Sequence, residues 1–196
     1  MSVLLIAGSP SERSRSAALL YAVAQRLEFR GAQVEHLQIR DLSPQALILA
    51  DFGNPTISHA IGRVAQAGVI VIATPVYKAA YSGVLKVFLD LLPQNALAGK
   101  TVLPLATGGS PNHMLALDYA LRPVLQSLGA KQILPGIYAT DAQVTVTESG
   151  AYEVNADIGQ RLDESVNTLV REVLPAAEVH ARRFAPVQFS QVRCSV

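Results

Sequence analysis

Two stretches of this chain hold the side chains best suited to chemistry. In the first, Gly8-Ser9-Pro10-Ser11-Glu12-Arg13-Ser14-Arg15-Ser16 sets four serines and two arginines between an apolar run and a helical pattern. At a helix N terminus, unpaired N–H groups and the helix dipole face an anion, hydroxyls donate and arginine adds charge. That combination suits a phosphate. A solvated turn with a capping serine would need only one of these side chains. In the second, Thr74-Pro75-Val76-Tyr77-Lys78-Ala79-Ala80-Tyr81-Ser82-Gly83 follows the apolar run Val69-Ile70-Val71-Ile72-Ala73. It offers backbone amides, phenol faces and a cation, a surface for a planar, anionic heterocycle and not for a metal.

A third loop, Ala106-Thr107-Gly108-Gly109-Ser110-Pro111-Asn112-His113, has paired glycines that permit close backbone approach or positive φ. His113 either meets a ligand or opens a helix against solvent, and the second reading is favoured. Gly99-Lys100-Thr101 resembles the end of a phosphate-binding Walker motif, but Gln94 stands where that motif needs glycine. The triplet also precedes a strand instead of opening a helix, so it reads as a turn. No G-x-G-x-x-G or G-x-S-x-G occurs, and His36, His59, His113 and His180 lack metal-ligand spacing. Any enzymatic chemistry therefore falls to a bound cofactor.

These loops need elements to hold them at one end of a sheet. Strand-like runs cover residues 3–7, 34–39, 69–73, 101–106 and 132–137, and helical patterns cover 14–30, 56–66, 82–92, 113–128 and 157–174. Five β/α units with right-handed crossovers predict a doubly wound, five-stranded parallel sheet of order 2-1-3-4-5, with helices on both faces. In that order the three loops lie side by side at carboxyl strand ends, where open α/β folds bind ligands. Together they make three sides of a mononucleotide site. Residues 1–174 are expected to form one domain, with 175–196 a C-terminal tail or arm.

Two helical segments depart from a simple surface pattern. Residues 82–92 are apolar on almost every side, which predicts burial against both the sheet and another subunit. Pro123 interrupts Asp118-Tyr119-Ala120-Leu121-Arg122-Pro123-Val124-Leu125; it cannot donate to the Tyr119 carbonyl and its ring crowds that oxygen. Either an ordinary kink or a π-type bulge must absorb the misfit.

With 196 residues, half of them hydrophobic and 16% charged, the chain can bury a proper core. A net charge of +1 gives no basis for nucleic-acid or membrane binding. Cys194 is the single cysteine, which excludes an internal disulfide, and reads as a free intracellular thiol. The short N-terminal apolar run lacks a basic flank, and no run approaches the length of a bilayer span. A soluble, cytoplasmic protein is expected.

The three loops resemble those of the NAD(P)H-dependent FMN reductases of the flavodoxin-like superfamily. They are most similar to the flavin reductase component of two-component alkanesulfonate monooxygenase systems. The likeness rests on Ala7-Gly8-Ser9-Pro10 with Ser14-Arg15-Ser16, on the whole run from Ala73 to Gly83, on Leu103-Pro104-Leu105-Ala106-Thr107-Gly108-Gly109, and on Asp118 to Leu125. It runs over residues 3–143 and does not reach the C terminus. The resemblance implies that Ser9, Ser14, Arg15 and Ser16 hold the FMN phosphate. It places Pro75, Val76, Tyr77 and Lys78 along the isoalloxazine edge, with Thr107, Gly108 and Gly109 beside the ring, and Lys78 near negative charge on the reduced flavin. It implies hydride transfer directly from NAD(P)H to FMN without a catalytic side chain, and reduced FMN passing to a partner monooxygenase in sulfur assimilation. A homotetramer, or a dimer exchanging with one, assembled through helix 82–92 is also implied, with Tyr119 in a π-helix at the interface. Arg13 is a candidate contact for a 2′-phosphate. The rival expectations are a quinone or azo reductase that retains FMN, and a flavodoxin-type electron carrier; the near-neutral charge disfavours the carrier.

Overall fold

The computed structural model describes residues 2–148 and 150–173. Cys194 and the expected C-terminal arm over 175–196 lie outside the described residues. Strand β1 (Ser2–Ala7) pairs in parallel with β2 (Gln33–Gln38) on one side and β3 (Val69–Tyr77) on the other. A two-residue β4 (Ala80–Tyr81) folds back antiparallel on the end of β3, and β5 (Thr101–Gly108) extends the sheet in parallel with β3. The fifth position is filled by two pieces. β6 (Gln132–Ile133) pairs with Thr101 and Val102, while β7 (Ile137–Thr140) pairs with residues 105–108 of β5. The order β2-β1-β3-β5-β6 is the doubly wound, flavodoxin-like order expected.

The continuous fifth strand expected over 132–137 is thus broken, and its second half ends three residues later. Pro135 has no N–H for the ladder. Arg122 covers the break instead, its two terminal nitrogens donating to the Ile133 and Leu134 carbonyls at 3.3 Å each.

Side chains alternate across the pleat and bury both faces of the sheet. Val3, Leu5, Val69, Val71, Leu103 and Leu105 pack under α1 (Arg15–Phe29) and the α6 helix (Ala156–Val173). Leu4, Ile6, Ile70, Ile72, Val102 and Ala106 face α2 (Pro44–Ile48), α3 (Pro55–Gln66), α4 (Gly83–Asp90) and α5 (Arg122–Ser127). A 3₁₀ turn, Ile39–Asp41, takes the last residue expected in the second strand, and short α2 lies between it and α3. A hairpin of β8 (Val144–Val146) and β9 (Tyr152–Val154) was not expected at all.

The α4 helix buries Leu85, Phe88 and Leu89, and half-buried Val84 and Val87 also pack on the core. An ion pair between Lys86 and Asp90 gives the helix expected to be apolar on almost every side a narrow polar stripe. The helix expected over 113–128 is three elements: a 3₁₀ turn at Pro111–His113, a π-helix at Ala116–Leu121, and α5. The Arg122 N–H reaches the Leu117 carbonyl five residues back. Pro123, which cannot donate, follows at the start of α5, so the bulge and not a plain kink absorbs the misfit. Lys100 also loses any resemblance to a phosphate-binding lysine. Its ammonium donates to the Ala65 and Ala67 carbonyls at the end of α3, and burial lowers its pKa.

Candidate functional site

The loop after β1 is fastened to the loop after β3. The Gly8 N–H donates to the Ala73 carbonyl at 2.8 Å, and the buried Ser82 hydroxyl donates back to the Gly8 carbonyl. Ser82 also caps α4 by accepting from the Leu85 N–H at 3.1 Å, while its own N–H donates to the Thr74 hydroxyl at 3.0 Å. A Cβ on Gly8 would stand 3.0 Å from Leu85 Cβ and 3.1 Å from the Ala73 oxygen, so only glycine fits this crossing without a shift.

A cleft of about 230 Å³ opens where these loops meet the carboxyl ends of β1, β3, β5 and β7. One wall is polar. Ser9, Ser11 and Ser14 line it with Arg13 and Arg15, at the N terminus of α1. Ser14 caps that helix through the Ala17 N–H, and its hydroxyl lies 2.8 Å from the hydroxyl of buried Ser16. The Arg15 Nε donates to the Val144 carbonyl at 2.9 Å, and one terminal nitrogen stands 3.6 Å from Asp141 Oδ2.

Pro75, Val76 and Tyr77 at the end of β3 also line it, beside Thr107, Gly108 and Gly109 at the end of β5. Tyr77 is half exposed at 49%. After it, Lys78 and Ala79 take φ of +50° and +63°, and the pairing of Tyr77 with Ala80 holds this left-handed turn closed. Two residues without a glycine in that region cost about 1–2 kcal/mol each. The strain sits on the rim of the cleft.

Gly108 owes its identity to Tyr138 beneath it. A Cβ there would lie 2.6 Å from the Tyr138 hydroxyl and 3.3 Å from Val76 Cβ. That hydroxyl donates to the Ser110 carbonyl at 2.5 Å and so fixes the glycine loop. Burial, with a smaller push from the charge of Asp141, raises the phenol pKa and keeps this donor protonated.

Of the residues singled out from sequence, Ser9, Ser14, Arg15, Pro75, Val76, Tyr77, Thr107, Gly108 and Gly109 come together around one cleft. Ser16 lies under Ser14 and does not line it, and Lys78 is exposed outside it. Tyr119 stands 79% exposed on the π-helix, and Pro123 follows that helix in the first turn of α5. His113 is half buried and outside the cleft. Arg13 lies in the wall among the serines. Ser11, Asp141 and Tyr152 are additional lining residues. Asp141 directly follows β7, so the carboxyl-end rule would have found it had the strand not been read as ending at residue 137. Tyr152 comes from the unforeseen hairpin and carries no local signal.

The donor set fits a flavin mononucleotide. Three hydroxyls, two guanidinium groups and a helix N terminus suit a phosphate, and glycine backbone beside a tyrosine and proline suits a flat ring. Among the described residues no group of three or more His, Cys, Asp or Glu could hold a metal.

A family model described as NADPH-dependent FMN reductase matches residues 1–145. An FMN reductase (NADPH) of Pseudomonas putida is 49% identical over 183 residues, covering 90% of this chain and 92% of that protein. The FMN reductase (NADPH) of Escherichia coli is 44% identical over 168 residues, covering 86% and 87%. Among solved structures, an apo NADH:FMN oxidoreductase superposes with a TM-score of 0.78 at 42% identity, covering 87% of this chain and 89% of that one.

Proposed function

Since the chain belongs to the NADPH-dependent FMN reductase family, we propose that it seats FMN in the cleft between the β1, β3 and β5 loops and reduces it with NAD(P)H. Convergence of the serine–arginine loop, the 75–77 wall and the 107–109 loop on one cleft supports this function. Ser9, Ser14 and Arg15 take the phosphate, with Ser11 and Arg13 beside them and Ser16 orienting the Ser14 hydroxyl. Pro75, Val76 and Tyr77 lie along the ring, with Thr107, Gly108 and Gly109 beside them; Lys78, in the turn after Tyr77, is outside the cleft.

Bound FMN supplies the hydride-accepting chemistry, with NAD(P)H as the donor. The residues of the chain supply geometry. The Gly8–Ser82–Thr74 bonds hold the phosphate loop and ring wall at a fixed separation. The Tyr138–Ser110 bond holds the glycine loop flat, so that the ring is positioned before the dinucleotide arrives.

Reduced FMN is then delivered to a monooxygenase, with sulfur acquisition from alkanesulfonates as the setting, in the cytoplasm. No helix among the described residues is long and apolar enough to cross a membrane. The working assembly is a homotetramer. Exposed Met114, Leu115 and Tyr119 on and before the π-helix support an interface there.

Steady-state oxidation of NADPH and NADH at varied free FMN tests the activity. Saturable, FMN-dependent turnover is expected, and purified protein that fails to accelerate oxidation of either nucleotide would sink it.

A further inference from the structure

The cleft contains one side chain that a site built only to hold a phosphate would exclude. Asp141 lines it together with Arg13 and Arg15, so two cations share the space with a carboxylate. Asp141 is anchored by its own N–H, which donates to the Gly108 carbonyl at 3.2 Å. Its Oδ2 stands 3.6 Å from the Arg15 guanidinium and 3.8 Å from where a Cβ on Gly109 would lie. Both side chains remain partly exposed, 38% for Arg15 and 49% for Asp141. Arg15 meanwhile keeps its Nε on the Val144 carbonyl. Of its two terminal nitrogens, Nη1 is the one that faces the aspartate.

A phosphate monoester carries nearly two negative charges at neutral pH. Entering this wall, it competes with Asp141 for Arg15 Nη1 and sits close to a like charge. We propose that Asp141 is an internal competitor for the flavin phosphate, an affinity-setting residue that makes FMN exchange readily instead of remaining bound through the cycle. This inference rests on the phosphate seat proposed above. A reductase that hands its product to another protein needs such release. The aspartate provides it by weakening the contact at the phosphate, leaving the ring and its approach to the dinucleotide untouched.

Equilibrium titration of the oxidised full-length protein with FMN and with riboflavin, followed by flavin fluorescence, tests the idea. Asp141→Asn keeps the shape and removes the charge; Asp141→Ser serves as a second variant. Removing one partly exposed like charge should tighten FMN about two- to fivefold, and riboflavin, which has no phosphate, should bind as before. Unchanged or weaker FMN binding in both variants would overturn the proposal, because Asp141 would then be inert or a clamp that positions Arg15. Equal tightening of riboflavin would also overturn it. Arg15→Ala separates the two layers. If it lowers the preference for FMN over riboflavin while the Asp141 variants do nothing, the competitor idea fails and the phosphate seat stands. If Arg15→Ala leaves that preference unchanged, the phosphate seat fails, and the role of Asp141 with it.

Discussion

At the scale of single residues, the site depends on a few positions where one atom too many would collide with a buried partner. Gly108 is the sharpest, because Tyr138 Oη occupies the space a Cβ would need. Gly108→Ala should destabilise the protein by about 1–3 kcal/mol and weaken FMN binding by loosening the Ser110 loop. Tyr138→Phe loses one hydrogen bond, about 1 kcal/mol, but removes the colliding oxygen. Chemical denaturation of the two single variants and the double variant should show a double-variant loss smaller than the sum. Strict additivity would mean the clash is absorbed elsewhere. Ser82 is the second such position. Its hydroxyl both caps α4 and satisfies the Gly8 carbonyl, so Ser82→Ala should cost about 2–3 kcal/mol, read as a lowered unfolding midpoint. A midpoint within about 1 °C of the parent, well under the 2–4 °C expected per kcal/mol, would contradict the role given to that bond.

Among elements, the π-helix and the broken fifth strand depend on one another. Pro123 withholds a donor from the helix, Pro135 withholds one from the strand, and Arg122 spans the gap. Its Nε pairs with Asp118 at 3.0 Å while its terminal nitrogens reach the Ile133 and Leu134 carbonyls. The planar fork of arginine can serve both sides at once, and the single ammonium of lysine cannot. Arg122→Ala should therefore cost about 1–3 kcal/mol, and Arg122→Lys should recover less than half of that. Full recovery with lysine, measured in urea, would show that only the charge matters. Hydrogen exchange should also quicken in the amides of residues 117–122 in the alanine variant, since the π-helix loses its tie to the sheet.

For the molecule as a whole, the sheet and its two layers of helix leave a rim of large apolar side chains outside the core. Met114, Leu115 and Tyr119 are 57%, 52% and 79% exposed. Under the proposed tetramer these surfaces meet a second copy, beside the π-helix and near the glycine loop of the cleft. Leu115→Lys combined with Tyr119→Glu should reduce the sedimenting mass while leaving the circular dichroism spectrum unchanged. An unaltered mass would place any interface elsewhere. Because α4 also carries the Lys86–Asp90 pair on its outer side, its contribution to such an interface would be limited to Val84 and Val87 at the margins of that stripe.

Much of this architecture was legible before any coordinates. Val69 to Ala73 has the β-branched density of a strand buried on both faces, and the serine loop, the 74–83 run and the paired glycines mark three strand ends that a doubly wound order brings together. These are local properties: hydrophobic period, turn chemistry and capping act within a few residues, so they survive in the bare chain. The resemblance to flavin reductases supplied the chemistry those ends serve. The tertiary structure decided what depends on distant partners. It put Asp141 against Arg15, set Arg15 on the carbonyl of Val144, 129 residues away, brought Tyr152 to the cleft and left Lys78 outside it. It also chose a π-bulge where Pro123 allowed either outcome. No periodicity records such contacts, because they arise only when the sheet closes and elements far apart in sequence compete for the same space and the same charges.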